Sequence, residues 1–122
     1  MVIFKERNRK REGIHVYVKV YRYQIQEDKL KEYLQIQQEV LKIYRKYIDI
    51  DVIHLQNNLS PTNWIEMMIY NGEEEDYQKN MNRINMQQEI LEYFNAFQIT
   101  LIPGTKIIEE DYHQILLDGL GL

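Results

Sequence analysis

The fold is decided by residues 14–25, which read Ile-His-Val-Tyr-Val-Lys-Val-Tyr-Arg-Tyr-Gln-Ile. Side chains of two kinds alternate along this stretch with period two, which is the pattern of a β-strand. Even positions from 14 to 20 are aliphatic. The odd positions are aromatic or polar: His15, Tyr17, Lys19, Tyr21 and Tyr23. We therefore expect a strand with one aliphatic face and one face of aromatic and polar side chains.

Outward from this strand, hydrophobic spacing and turn-forming residues predict five further elements. They are a helix over 27–48, strands over 50–56 and 64–70, a helical segment over 71–97 broken near Asn85, and a short fourth strand over 99–102. Two right-handed crossovers in this order place both helices on one face of an antiparallel sheet with strand order 4-1-3-2. The predicted fold class is α+β, a ferredoxin-like β-α-β-β-α-β domain.

The chain is expected to divide into three segments: a basic arm over 1–13, the ferredoxin-like domain over 14–103 and a C-terminal extension over 104–122. The arm has five basic residues within seven positions, so either a solvated flexible tail or a contact for an anionic partner fits it. The extension contains an apolar segment, residues 115–117, that is a candidate for crossing to a dimer partner.

Composition excludes several function classes. The 122 residues include no cysteine, which excludes disulfide frameworks and thiolate chemistry. The net charge of −4 disfavours a nucleic-acid footprint over the whole domain. No apolar run approaches the roughly 20 residues that span a bilayer. We expect a cytoplasmic protein without a membrane partner.

The two faces of the sheet are expected to play different roles. We expect the helices to cover the aliphatic face, which carries Val16, Val18, Val20, Ile53, Leu55, Ile65, Met67 and Ile69. The aromatic face would then have no helix to cover it. An uncovered face so rich in aromatic residues is typical of an interface or a ligand site, and it could be covered by a second sheet or by single-stranded nucleic acid.

The hairpin between the second and third strands is centred near Ser60, and a symmetric register places His54 opposite Glu66. A carboxylate beside an imidazole raises the imidazole pKa and orients the ring for acid–base catalysis, so we assign this pair as the candidate catalytic residues. The alternative is a structural polar pair, or an ion pair of Glu66 with Lys19, beneath an interface. The residues expected to bind a substrate are Tyr17, Lys19, Tyr21, Trp64 and Met68. Three scattered histidines do not predict a metal site.

The chain resembles the dimeric α/β-barrel superfamily, whose best-known branch is the antibiotic-biosynthesis-monooxygenase-like domains. The element order over 14–103 carries the resemblance, with a third strand Trp64-Ile-Glu-Met-Met-Ile-Tyr70 leading to an acidic helix start and with Phe94-Asn-Ala-Phe97 ending the second helix. The resemblance implies a homodimer packed sheet against sheet, with a pocket between sheet and helices or within the barrel. The haem-degrading branch uses an Asn on the first strand and a His on the second helix. Both are absent here, so no cofactor is expected.

Three functions remain open from the sequence. The first is a homodimer that binds a small, partly aromatic molecule in its barrel cavity, with cofactor-free monooxygenation as its enzymatic form and His54 as the base oriented by Glu66. The second is a non-enzymatic structural dimer. The third is an RNA-recognition-type module, which is disfavoured because the third strand lacks a basic-Gly-aromatic string and Glu66 would face the RNA. The sequence does not decide between an enzyme and a binding protein.

Overall fold

The computed structural model describes residues 15–117, so the predicted basic arm over 1–13 lies outside the described residues. The elements in chain order are β1 (Val16–Gln24), a 3-10 turn (Glu27–Lys29), α1 (Leu30–Tyr47), β2 (Ile50–Gln56), β3 (Asn63–Asn71), α2 (Glu74–Asn85), α3 (Gln88–Thr100) and β4 (Ile108–His113). The four strands form one antiparallel sheet in the order β2-β3-β1-β4. The predicted α+β, ferredoxin-like fold and its strand order are confirmed. Within the described part of the chain, no helix is both long enough and apolar enough to cross a membrane.

The predicted break in the second helical segment is also confirmed. Helix α2 ends at Asn85 and α3 begins at Gln88. The apolar stripe of α2, which buries Tyr77, Met81 and Ile84, does not continue in phase with the stripe of α3, so one straight helix would not bury both. The predicted cap at Asn71 is wrong, because the residue before α2 is Glu73.

The fourth strand lies elsewhere than expected. The predicted strand over 99–102 is wrong, because α3 continues to Thr100 and Leu101 forms only an isolated bridge to Ile25. The observed strand, Ile108–His113, falls within the predicted C-terminal extension. Its acidic run Glu109-Glu110-Asp111 concealed it. Edge strands tolerate such charges, and these find cationic partners on β1, namely Lys19 and Arg22.

The expected orientation of the sheet is wrong. The helices cover the aromatic face: Tyr17 and Met68 pack with Tyr77 of α2, while Tyr23 and Trp64 pack with Tyr33 of α1. The helices carry many rings of their own, and rings from both layers fill the space between them. Charged groups on this face find polar partners there, so alternating polarity did not reveal which face was inside.

The opposite face is left without a helix and is called here the aliphatic sheet face. Its apolar residues, paired across the strands, are Val18, Val20, Ile53, Leu55, Ile65, Met67, Ile69, Ile108 and Tyr112, and the charged residues Arg22, Asp51 and Glu110 lie on the same face. None of them belongs to either hydrophobic core cluster of the described residues. Ile53 and Leu55 are 41% and 45% exposed. The described chain therefore presents a broad, largely aliphatic surface built from all four strands.

Candidate functional site

A cavity of about 470 Å³ lies between the aromatic face of the sheet and the helices, and it is called here the central cavity. Six aromatic rings line it: Tyr21, Tyr23, Tyr44, Tyr93, Phe94 and Phe97. The polar residues among the lining are Glu66, Glu109, Gln37 and Asn85. A largely apolar cavity of this size with a few convergent polar groups is typical of a small-molecule site.

Glu66, near the middle of β3, brings a carboxylate into this cavity. The Tyr23 hydroxyl donates to Glu66 Oε1 at 2.9 Å, and the Tyr33 hydroxyl lies 2.6 Å from that of Tyr23. Because Tyr23 gives its proton to Glu66, Tyr33 must donate to Tyr23, which makes a chain of two hydroxyls ending at the carboxylate. Burial raises the pKa of Glu66 to about 7, and the hydrogen bond from Tyr23 opposes that rise.

The predicted register of His54 and Glu66 is confirmed, because the two residues are directly opposed in the β2–β3 ladder. Their side chains nevertheless bond to different groups. His54 Nε2 lies 3.0 Å from Gln37 Oε1, whereas Glu66 accepts from Tyr23. The expected rise in the pKa of His54 is wrong: burial lowers that pKa. The sheet thus aligns the pair, but α1 supplies His54 with another partner through Gln37.

Tyr21 and Glu66 line the central cavity, but the other candidate site residues do not. The Tyr17 ring packs 4.9 Å from that of Tyr77, and its hydroxyl donates to Asp111. Met68 is buried and accepts a hydrogen bond at Sδ from Tyr77 at 3.1 Å. Tyr17 and Met68 are therefore core residues in this structure.

Trp64 is also placed away from the central cavity. Its ring packs 4.9 Å from that of Tyr33, and it lines a separate groove near Pro103 and Gly104. Trp64 therefore contacts the ring of Tyr33, whose hydroxyl begins the chain that reaches Glu66. His54 is likewise outside the lining and meets it only through Gln37.

Lys19 is buried and links two strands of the sheet by ion pairs. Its ammonium lies 3.1 Å from both Glu109 and Asp111 of β4, so the alternative ion pair with Glu66 does not form. Burial would lower the pKa of Lys19, but the hydrogen bonds to Asp111 and Glu109 outweigh it and the pKa is raised. Lys19 is thus held as a cation that joins the central strand to the edge strand.

Sequence reasoning missed most of the cavity wall. The missed residues are Tyr23 of β1, Gln37 and Tyr44 of α1, and Tyr93, Phe94 and Phe97 of α3. The sequence did contain a signal for the helix side of the cavity wall, because Tyr33, Gln37 and Tyr44 recur at helical spacing on one side of α1. That signal required knowing that the helices lie over the aromatic face. Among residues 15–117 no group of three or more metal-ligating side chains is gathered.

Comparison with known proteins gives the fold. No protein-family model matches the chain, and no curated protein matches it. A NIPSNAP family protein from Agrobacterium tumefaciens is similar in structure, with a TM-score of 0.62, 19% identity, and coverage of 83% of this chain and 92% of that one. SnoaB from Streptomyces nogalater, a cofactor-independent oxygenase, has a TM-score of 0.59, 9% identity, and coverage of 84% and 93%.

A further solved structure, of an antibiotic biosynthesis monooxygenase, has a TM-score of 0.59, 6% identity, and coverage of 79% of this chain and 97% of that one. The TM-scores show a shared fold, and at identities of 6–19% they show the fold alone. The chain therefore has the ferredoxin-like fold of the antibiotic-biosynthesis-monooxygenase-like proteins, and the resemblance predicted from the sequence is confirmed at that level.

Proposed function

We propose that the protein is a homodimeric α/β-barrel domain that binds a small, partly aromatic molecule in the central cavity of each protomer. The observation that supports this most is the cavity itself. It measures about 470 Å³ and is lined by six aromatic rings and two carboxylates, and the carboxylate of Glu66 has an oxygen left for a ligand. Of the two places that the resemblance implies for a pocket, the space between sheet and helices is favoured over the barrel interior, because the aromatic rings lie there.

The aliphatic sheet face supports the dimer. A large contiguous apolar surface is uncommon on monomeric proteins, and two sheets pack well when flat aliphatic faces meet about 10 Å apart. Met67 and Val20 are directly opposed near the centre of this face, and Ile53 extends it on the outer side. A second copy of the same face would bury the apolar side chains of both sheets against each other.

Native mass spectrometry on the protein as purified tests both parts together. We expect a dimer, with added mass where ligand is retained. The Glu66→Gln variant keeps the shape of the side chain and removes its charge, so we expect it to remain dimeric and to lose the added mass. A monomer at micromolar concentration contradicts the dimer. Retained mass that is equal in the variant contradicts a role for Glu66.

A second candidate function is cofactor-independent oxygenation. Glu66 favours it, because a carboxylate with a pKa of about 7 can accept a proton from a phenolic hydroxyl near neutral pH. The proton moves to Glu66 and leaves a phenolate, which is the electron-rich form that O₂ oxidises. One oxygen atom replaces a ring C–H to give the quinone, and the other leaves as water with that hydrogen and the proton returned by Glu66. His54 would position Gln37 at the cavity wall in this scheme.

An oxygen electrode tests this candidate with 2,6-dihydroxynaphthalene as the probe. We expect O₂ consumption above the rate without protein, and its loss in Glu66→Gln. Consumption that is absent in the parent protein rejects the enzymatic form and leaves binding as the function. Consumption that is unchanged in the variant removes Glu66 from the chemistry.

A further inference from the structure

The central cavity has an unusual balance of charge. Two carboxylates, Glu66 and Glu109, line it, and within the described residues 15–117 the lining includes no Lys, Arg or His. Glu109 pairs with the Lys19 ammonium at 3.1 Å, which it shares with Asp111. Glu66 takes part in none of the ion pairs formed among the described residues. Of the two carboxylates that line the central cavity, Glu66 is therefore the one without a cationic partner among the described residues.

The immediate surroundings of Glu66 offer it little polar support. Oε1 accepts one hydrogen bond, from Tyr23, and Oε2 accepts none from the residues that the structure describes. The neighbouring wall consists mostly of rings and aliphatic side chains. Placing a carboxylate in such surroundings is costly unless it is paired with a cation or takes up a proton. A proton meets this need near neutral pH, and above it a cation bound in the cavity would supply the counter-charge.

We propose that the central cavity selects a ligand that carries an ammonium group, with Glu66 as its counter-ion and the aromatic wall around it. This inference rests on the proposed function, since it assumes that the cavity binds a small molecule. Aromatic ring faces attract cations, and the attraction is largest where water is excluded. One lining ring already accepts an ammonium, because Lys19 Nζ lies 5.6 Å from the centroid of the Tyr21 ring.

The same features predict the order in which the cavity prefers anionic, neutral and cationic ligands. A ligand that enters as an anion would meet two carboxylates and no lining cation, so the cavity disfavours it; a phenolate formed in place differs, because its proton neutralises Glu66. A neutral donor gains one hydrogen bond to Glu66 but leaves the carboxylate charge uncompensated. A cation gains the ion pair and the contacts with the rings of Tyr44, Tyr93 and Phe94, so it is favoured over a neutral molecule of equal shape.

Three probes of matched shape test this directly at pH 8. They are (4-hydroxymethylphenyl)trimethylammonium, neutral 4-tert-butylbenzyl alcohol and anionic 4-(hydroxymethyl)benzenesulfonate, each titrated calorimetrically. We expect the cation to bind about tenfold more tightly than the neutral probe, and the sulfonate not to bind. In Glu66→Gln we expect that ratio to fall to about one, while binding of the neutral probe is kept.

The control variant is Glu75→Gln, which removes the same charge from an exposed residue in the first turn of α2. We expect it to keep the preference for the cation. Equal affinity of the cationic and neutral probes in the parent protein overturns the inference and leaves the proposed binding function standing. Failure of all three probes contradicts the binding function itself. Even if the Glu66 variant folds poorly, the ratio of the affinities of the parent protein for the cationic and neutral probes tests the preference for a cation.

Discussion

The Tyr23 hydroxyl donates to the Glu66 carboxylate at 2.9 Å from the neighbouring strand. In the β1–β3 ladder the residue opposite Glu66 is Tyr21, so Tyr23 reaches it diagonally from two positions further along β1. Tyr33 of α1 completes the arrangement from the helix layer by bonding to Tyr23. One carboxylate thus couples the sheet to α1, and its protonation state should be felt in the stability of the fold.

The stability of the protein should fall between about pH 5 and pH 8 because of Glu66. Its pKa rises from an ordinary 4.5 in the unfolded chain to about 7 in the folded protein. The folded state therefore binds the proton more tightly, and stability is lost as pH rises through this window and is constant above it. The loss amounts to about 3 kcal/mol at most.

Urea unfolding of the parent protein and Glu66→Gln at pH 5 and pH 8 measures this effect. Other titrating groups, His54 included, are common to both proteins and cancel in the difference. We expect the stability of the parent relative to the variant to drop by about 2–3 kcal/mol between the two pH values. A pH-independent difference would show that the carboxylate is ionised with an ordinary pKa in the folded state.

Replacing Tyr23 by Phe should destabilise the fold more at pH 8 than at pH 5. The change removes the donor to Glu66 and leaves the Tyr33 hydroxyl without its acceptor, each of which costs about 1–3 kcal/mol in a buried site. At pH 5 Glu66 is largely protonated and needs the donor less. Tyr47→Phe, at the end of α1, is the matched control and should change stability little, because Tyr47 is 39% exposed. Equal destabilisation at both pH values contradicts the coupling of Tyr23 to the charge of Glu66.

Register and topology were predictable from this sequence, whereas the orientation of the sheet was not. The alternation of side-chain types around Lys19 predicted strand β1. The hairpin centred near Ser60 predicted that His54 lies opposite Glu66, as observed. Period-two patterning separates two faces without saying which one the helices cover. Here both faces are apolar enough to be buried, one by helices and the other, as we propose, by a second sheet.

The candidate site was only partly predictable for the same reason. Glu66 and Tyr21 were found because they lie on the strands that the pattern fixed. His54 was expected beside Glu66, but its hydrogen-bond partner in the structure, Gln37, comes from α1. The rotation of a helix above a sheet depends on packing that strand periodicity does not report. The acidic run at Glu109 hid β4, because local strand propensity was overridden by pairing with Lys19 and Arg22.

Replacing Ile53 by Glu should dissociate the proposed dimer without unfolding the protomer. Ile53 is 41% exposed on the aliphatic sheet face, so the described chain tolerates a charge there, whereas a sheet-to-sheet interface does not. The control is Ile99→Glu on α3, which is 67% exposed and lies in the helix layer. Sedimentation velocity should give a monomer for the first variant and a dimer for the second. If both variants behave alike, the aliphatic sheet face is not the interface.

Two C-terminal deletions distinguish the role of the edge strand β4 from that of the apolar segment that follows it. Deleting residues 105–122 removes β4 and leaves buried Lys19 without Glu109 and Asp111, so we expect loss of the folded state. Deleting only 114–122 keeps the strand and removes Ile115 and Leu117, which are 57% and 62% exposed. Since exposed apolar side chains are stabilised when a partner covers them, this shorter deletion should weaken the dimer if the segment crosses to the partner, while the circular dichroism spectrum stays unchanged. A dimer that dissociates at the same concentration with and without residues 114–122 shows that this segment does not cross to the partner.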